Sequence, residues 1–173
     1  MKPALLVAAL LALCPLAPTV ALARQATPEA HLAQAASDLE VARRYQELMM
    51  ANDQEAQLAM LSEDAVFEDP MVTLSGRAAI AAAWRDQRIR LLSYESGGAF
   101  HSGRGQVVLS GVVRFEQTFR TQTGEPLTLA FETPSIMVLT IQGETVVRHI
   151  DYVDTAAFAT QLQAHIRRLQ AGA

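Results

Sequence analysis

Tyr45 and Asp69 are the residues whose types and spacing most directly suggest chemistry. They lie 69 − 45 = 24 residues apart, the aspartate within Ala65-Val66-Phe67-Glu68-Asp69-Pro70. A phenol and a carboxylate converging in one apolar pocket are equipment for proton transfer beside a carbonyl. The carboxylate takes the proton, and the phenol hydrogen-bonds the oxygen that gains charge. Each residue also has a plain structural account. A tyrosine on an apolar helical stripe is ordinarily a core aromatic with a satisfied hydroxyl, and an aspartate before proline is ordinarily a turn residue.

A second pair sits near the C-terminus. Period-2 alternation places Val147, His149, Asp151 and Val153 on one face of a strand, with Val146, Arg148, Ile150 and Tyr152 on the other. A carboxylate two residues from an imidazole on the same face can orient or charge it. A solvated edge face leading into a helix cap explains the pair equally well. Metal chemistry has little support, because the 4 histidines are scattered and His149-Ile150-Asp151 offers two ligands without a third. No phosphate loop, nucleophile elbow or dinucleotide fingerprint occurs, and no cofactor is expected.

These residues need elements to carry them. Val41, Ala42, Tyr45, Leu48 and Met49 fall at helical spacing behind Asp38, which is expected to cap that helix. Asn52-Asp53 should break it before a short helix carrying Leu58 and Leu61. Ala65–Glu68 reads as a strand, and a third helix is expected from Arg77 to about Leu92, with Ile80, Trp84 and Leu91 on one side. Segments 106–119, 127–141 and 145–153 are rich in Val, Ile, Phe and Thr, with Tyr94–His101 a weaker strand. Thr123-Gly124 and Gln142-Gly143 read as hairpin turns. Glu132 and Pro134 interrupt an apolar strand and suit either a bulge at a cavity mouth or an exposed edge. Asp154 should cap a last helix carrying Phe158, Leu162, Ile166 and Leu169. Helices followed by long antiparallel strands imply an α+β domain with helices on one sheet face. Strands apolar on both sides, such as Ile136-Met137-Val138-Leu139, suggest that the other face meets a second subunit, so a homodimer is expected.

Composition narrows the partners. Lys2, the apolar run Ala4–Leu13 and Ala21-Leu22-Ala23 have the order of a cleaved secretory signal, broken by Pro15 and Pro18 short of a membrane span. Residues 1–23 are therefore expected to be removed, 24–37 to form a flexible leader, and 38–173 to form the domain. Cleavage takes away the only cysteine, Cys14, and the only lysine, leaving thirteen arginines against 18 acids. The chain then has no disulfide or thiolate chemistry, which suits a periplasmic or secreted protein. Without a basic cluster, neither nucleic acid nor an anionic membrane surface is an expected partner.

The quoted segments resemble the nuclear transport factor 2-like superfamily, in the branch of Δ5-3-ketosteroid isomerases and SnoaL-like polyketide cyclases. Arg44-Tyr45 is similar to the isomerase segment carrying the oxyanion-hole tyrosine. Ala65–Pro70 resembles the segment of its general base, and Ser75-Gly76-Arg77-Ala78-Ala79-Ile80 the opening of its third helix. His149-Ile150-Asp151-Tyr152-Val153-Asp154 is closer to SnoaL-like proteins. The resemblance implies a cone: a curved antiparallel or mixed sheet wrapped around N-terminal helices (a cystatin-like α+β barrel), plus a C-terminal helix. It also implies a homodimer, and a pocket for a small hydrophobic ligand walled by Trp84, Val113, Phe115, Ile136 and Val147. An ungapped count places the isomerase's second, protonated-acid donor at Ile136, which cannot donate.

Two readings follow. In one, the protein is an isomerase- or cyclase-type enzyme in which Asp69 abstracts a proton, Tyr45 stabilises the enolate, and His149, tuned by Asp151, returns the proton or polarises the substrate. In the other, it is a secreted ligand-binding or scaffold protein whose polar residues only orient an apolar ligand. The leader makes one outcome definite: expressed with its own N-terminus in a secreting bacterium, the chain should yield a product starting at Arg24 by N-terminal sequencing, and a lipidated Cys14 or retained leader would contradict this.

Overall fold

In the computed structural model, which describes residues 27–86, 89–121 and 123–171, the first element is a long helix, α1 (Pro28–Met50). Thr27 caps it by accepting the Ala30 amide at 3.3 Å. Pro28 occupies a first-turn position where no amide hydrogen bond is lost, and Glu29 sits at the positive end of the helix dipole. The expected leader is thus helical from Pro28 onward; Arg24 to Ala26 and the signal segment lie outside the described residues. Asp38 is not the cap. It lies mid-helix, fully buried, taking the Gln34 amide at 2.7 Å and His101 Nε2 at 2.8 Å. The hydrophobic pattern fades at Val41 because the next inward position up the helix is this acid.

His101 Nδ1 accepts the Gly103 amide at 3.2 Å. The imidazole is therefore neutral, with its proton on Nε2 donated to Asp38. This interaction ties α1 to the tip of a hairpin 63 residues away. At the other end of α1, Asn52 adopts a left-handed backbone (φ 54°). Its side chain both donates to the Leu91 carbonyl (3.0 Å) and accepts the Leu91 amide (2.9 Å).

The remaining elements are α2 (Gln54–Ala59), β1 (Leu61–Glu68), β2 (Thr73–Ser75), α3 (Arg77–Asp86), β3 (Ile89–Gly103), β4 (Gln106–Arg120), β5 (Pro126–Gln142), β6 (Thr145–Val153) and α4 (Thr155–Ala171). Two helix boundaries differ from expectation. Leu61 opens β1 rather than closing α2, and α3 stops at Asp86, so Leu91 belongs to a strand. The segment holds few strand-favouring residues beyond Ile89, Tyr94 and Phe100, so it is pairing with β4 over Ile89–Gly103 that overrides the helical spacing of Leu91. Asp53 and Asp154 cap α2 and α4, through Ala56 N and Ala157 N respectively.

The six strands form one curved, unclosed sheet in the order β2-β1-β6-β5-β4-β3. Only β1 and β6 run parallel, so the sheet is mixed, and β2 and β3 remain as edges. Helices stand at both ends of the chain, and the cone-like α+β fold expected above is the fold observed. The core lies between α1, α3 and the sheet, with Ala42, Tyr45, Ile80, Val107, Leu139 and Val146 fully buried. Burying side chains of this size contributes about 1.5–3 kcal/mol each before entropy is set against it.

Two strand readings need correction. Thr140 pairs with Arg148 while Ile141 pairs with Val146, so β6 bulges at Val147. The bulge resets the alternation: Val146 turns into the core, although strict period-2 counting put it outside. Around Glu132 and Pro134 no bulge forms, since β4 and β5 pair without interruption from Gln106↔Thr140 to Arg120↔Pro126. Glu132 faces outward to Arg114, while its neighbour Thr133 is buried.

Asp38→Ala should lower stability to urea by about 1–3 kcal/mol, because His101 Nε2 and Gln34 lose a buried acceptor. A substitution that leaves the unfolding midpoint unchanged would show that the Asp38 contact is not needed to dock α1.

Candidate active site

A cavity of about 420 Å³ opens between the inner sheet face, α2, the end of α1, the end of α3 and the start of α4. Its walls are mainly aromatic and aliphatic, including Phe67, Trp84, Leu91, Val113, Phe115 and Phe158. Into this wall β6 projects His149 and Asp151.

His149 is 2% exposed. Its Nδ1 lies 3.0 Å from the Tyr45 hydroxyl, a contact joining residues 104 apart in sequence. Tyr45 is itself fully buried. Burial raises its pKa well above the ordinary phenol range, the charge of Asp151 adds to this, and the Gln57 amide opposes it. The phenol therefore stays protonated, and we assign it as the donor to Nδ1. We assign the remaining imidazole proton of the neutral ring to Nε2 on that basis. The ring is also held by edges: Phe67 at 5.0 Å and Tyr45 at 5.5 Å between centroids, both close to perpendicular. Phe67 in turn meets Trp84 edge-on at 5.7 Å.

Nε2 lies 3.0 Å from Asp151 Oδ1. The carboxylate sits off the N–H axis, however, so among the described residues this buried nitrogen has no aligned hydrogen-bond partner. Asp151 is 29% exposed and lines the cavity. His149 thus has one nitrogen paired with the phenol behind it and the other buried beside a carboxylate of the cavity lining.

The other expected site residues divide. Asp69 lines the same cavity, but its Oδ1 accepts the amides of Met71 (2.7 Å) and Val72 (2.8 Å), so it is also the turn residue that its position before Pro70 suggests. Tyr45 is not a wall residue; it reaches the cavity through His149 and Gln57. Trp84, Val113 and Phe115 line the wall, whereas Ile136 and Val147 do not. Ile136 pairs with Tyr152 and is 44% exposed on the outer face. The inner position opposite Asp151 belongs to Met137. The position reached by the ungapped count therefore does not face the cavity, whereas its neighbour does, since in a strand one residue reverses the face. Val147 is displaced by the bulge.

Gln57, Tyr94 and Thr133 also line the cavity, and sequence reasoning did not select them. Tyr94 lies against the bare backbone of Gly111: a Cβ built there would meet the tyrosine ring at 2.6 Å. A glycine inside the apolar run Val107–Val113 was the available signal for such a close approach. Burial raises the Tyr94 pKa; Gln46 opposes this and the charge of Asp151 adds to it. Tyr94 Oη and Gln46 Nε2 are both buried without an aligned partner among the described residues.

Comparison with known proteins follows the same line. A family model described as "SnoaL-like domain" matches residues 42–149. The chain belongs to the SnoaL-like domain family. A SnoaL-like polyketide cyclase candidate from Shewanella putrefaciens CN-32 superposes with a TM-score of 0.61 at 20% identity, covering 73% of this chain and 96% of that one. An LEH-like epoxide hydrolase from M. tuberculosis gives 0.61 at 15% identity, covering 81% and 99%. An NTF2-like protein from Burkholderia xenovorans LB400 gives 0.56 at 20%, covering 73% and 96%. At these identities the SnoaL-like fold is what is shared. No curated protein matches the chain.

Tyr45→Phe removes the donor to Nδ1 but keeps the ring. It should cost about 1–3 kcal/mol in urea unfolding, since a buried acceptor loses its partner. It should also release the tautomer, so the His149 nitrogen resonances should move from a single Nε2–H form toward a mixture. Unchanged resonances would show that the phenol does not set the proton's place.

Proposed function

We propose that this SnoaL-like domain catalyses proton transfer at the carbon next to a carbonyl of a small apolar ketone, as an isomerase- or cyclase-type enzyme. The observation that carries this is the buried His149 Nε2, without an aligned partner, beside the Asp151 carboxylate on an aromatic cavity wall. Asp151 takes the proton from the α carbon, and the C–H electron pair moves toward the carbonyl oxygen. The Nε2–H group hydrogen-bonds that oxygen as it becomes an enolate. Return of the proton from Asp151 to the same or a conjugated carbon completes exchange or isomerisation. Tyr45 is a positioning residue, holding the imidazole proton on Nε2 from outside the cavity. Asp69 is less suited to be the base, because one of its oxygens is committed to the turn.

Met137, opposite Asp151, supplies no hydrogen-bond donor beside the His149 N–H. That observation favours a second reading, a non-catalytic protein that orients an apolar ligand. The outer sheet face, where Ile136 and Tyr152 are 44% and 55% exposed, supports a homodimer, and the N-terminal segment supports secretion.

Deuterium exchange into the methyl group of para-methylacetophenone, followed by NMR, separates the two readings. Wild-type protein should exchange it faster than buffer does. Asp151→Asn should lose about 10²–10⁴ of the rate while still binding the ketone, and Asp69→Asn should lose less than about tenfold. A ketone that binds the wild type yet exchanges at the buffer rate would leave the binding reading alone.

A further inference from the structure

The charges around the cavity are lopsided. Asp69 and Asp151 line it, and among the described residues no lysine or arginine does. Four of the arginines on neighbouring elements are engaged in ion pairs with glutamates outside the cavity lining. Arg148 holds Glu68 at 2.7 Å and Arg90 holds Glu116 at 3.4 Å, while Arg77 pairs with Glu63 and Arg114 with Glu132. Among the described residues, the one wall group able to carry positive charge is His149, and its Nδ1 is already engaged by the Tyr45 hydroxyl.

An anionic ligand entering this cavity would bring its charge close to two carboxylates with no counter-ion, in surroundings where water cannot screen it well. A cationic ligand meets the reverse. Asp151 is partly exposed to the cavity, and among the described residues its one charged contact is the off-axis approach to His149. Phe67, Trp84, Tyr94, Phe115 and Phe158 also line the cavity, and an aromatic ring attracts a positive charge wherever its face is open to one. The buried His149 Nε2, without an aligned partner among the described residues, is a second and independent polar group of this wall left to be satisfied.

We propose that the cavity selects its ligand by charge: it takes apolar carbonyl compounds that carry a protonated amine, with Asp151 as counter-ion and specificity determinant, and rejects carboxylate-bearing ones. This rests on the reading of the cavity as a carbonyl-compound site and names the substrate class within it. Asp151 then has two roles that need not conflict. Its Oδ1 lies by Nε2, where the α carbon is presented, while its charge acts over the wider cavity.

Three probes of one scaffold test it: para-acetylbenzylamine (cation), para-methylacetophenone (neutral) and para-acetylbenzoate (anion). Trp84 is the chain's 1 tryptophan and lines the cavity, so its indole N–H resonance reports binding without ambiguity. At neutral pH and moderate salt the amine should bind at least about thirtyfold tighter than the benzoate, with the neutral ketone between them. Acetylating the amine, which removes its charge, should return affinity to within about threefold of the neutral ketone. Asp151→Asn should shrink the amine-to-benzoate ratio to below about tenfold. The acetylation arm needs no protein variant, so it decides the matter even if Asp151→Asn folds poorly.

A benzoate that binds within threefold of the amine, an acetylated amine that binds as tightly as the free one, or an amine that leaves the Trp84 signal unmoved would each overturn the proposal. Deuterium exchange of the neutral ketone reports separately. A charge ranking without exchange keeps this inference and removes proton transfer, whereas exchange without a ranking does the opposite.

Discussion

The inward stripe of α1 carries two polar groups that have nowhere to go but into protein. Asp38 and Tyr45 are both fully buried, and each finds its partner on a distant strand, His101 and His149 respectively. A buried carboxylate or hydroxyl left unpaired costs more than its hydrogen bond gains. The helix is therefore restricted to a docking position in which both contacts form together. Sliding it by one residue along the sheet would break both. Apolar contacts such as Ala42 against the sheet supply the driving force, but they tolerate small shifts; the polar contacts supply the register.

That register decides the chemistry. The Tyr45 hydroxyl belongs to the helix and His149 to β6, so their bond is at once a packing contact and the device that sets the imidazole tautomer. The edges of Phe67 and Tyr45 leave His149 little room to turn. The wall residue facing a ligand is thus prearranged by one that never touches it. Preorganisation of this kind lets a single N–H group act on a developing oxyanion without reorganising in the act.

What could be read from the sequence follows from which forces are local. The helix of Tyr45, the strands after Tyr94, the turns at Gly124 and Gly143 and the cap at Asp154 are set by neighbours in the chain, and they were legible. The first ten residues of α1 were not, because they are exposed apart from the partly covered Ala35, and the first buried position, Asp38, finds its partner His101 at a distance. His149 and Asp151 were correctly placed on one face, since nothing intervenes between them. Val146, Val147 and Ile136 were misplaced because their faces depend on a bulge and on a register, which only pairing with another strand creates. Tyr94 escaped notice for a related reason. What makes it a wall residue is the missing side chain of Gly111 on the next strand.

The same distinction bears on how far the family fold carries. A curved sheet around a helix produces a cavity whatever lines it, and folds of this kind host unrelated activities. Here the wall is made particular by the acid two residues after His149. Were position 151 apolar, His149 would be a neutral donor in a greasy cavity, suited to holding an oxygen and little else. With a carboxylate there, the cavity has an acceptor for a proton beside a donor for an oxyanion, and it has a net negative lining. Those two consequences are separable in principle, because the first depends on the position of one oxygen and the second only on charge. On the proposed reading both fall to a single residue, so a change of substrate charge in a relative would be expected to require a change at the base as well.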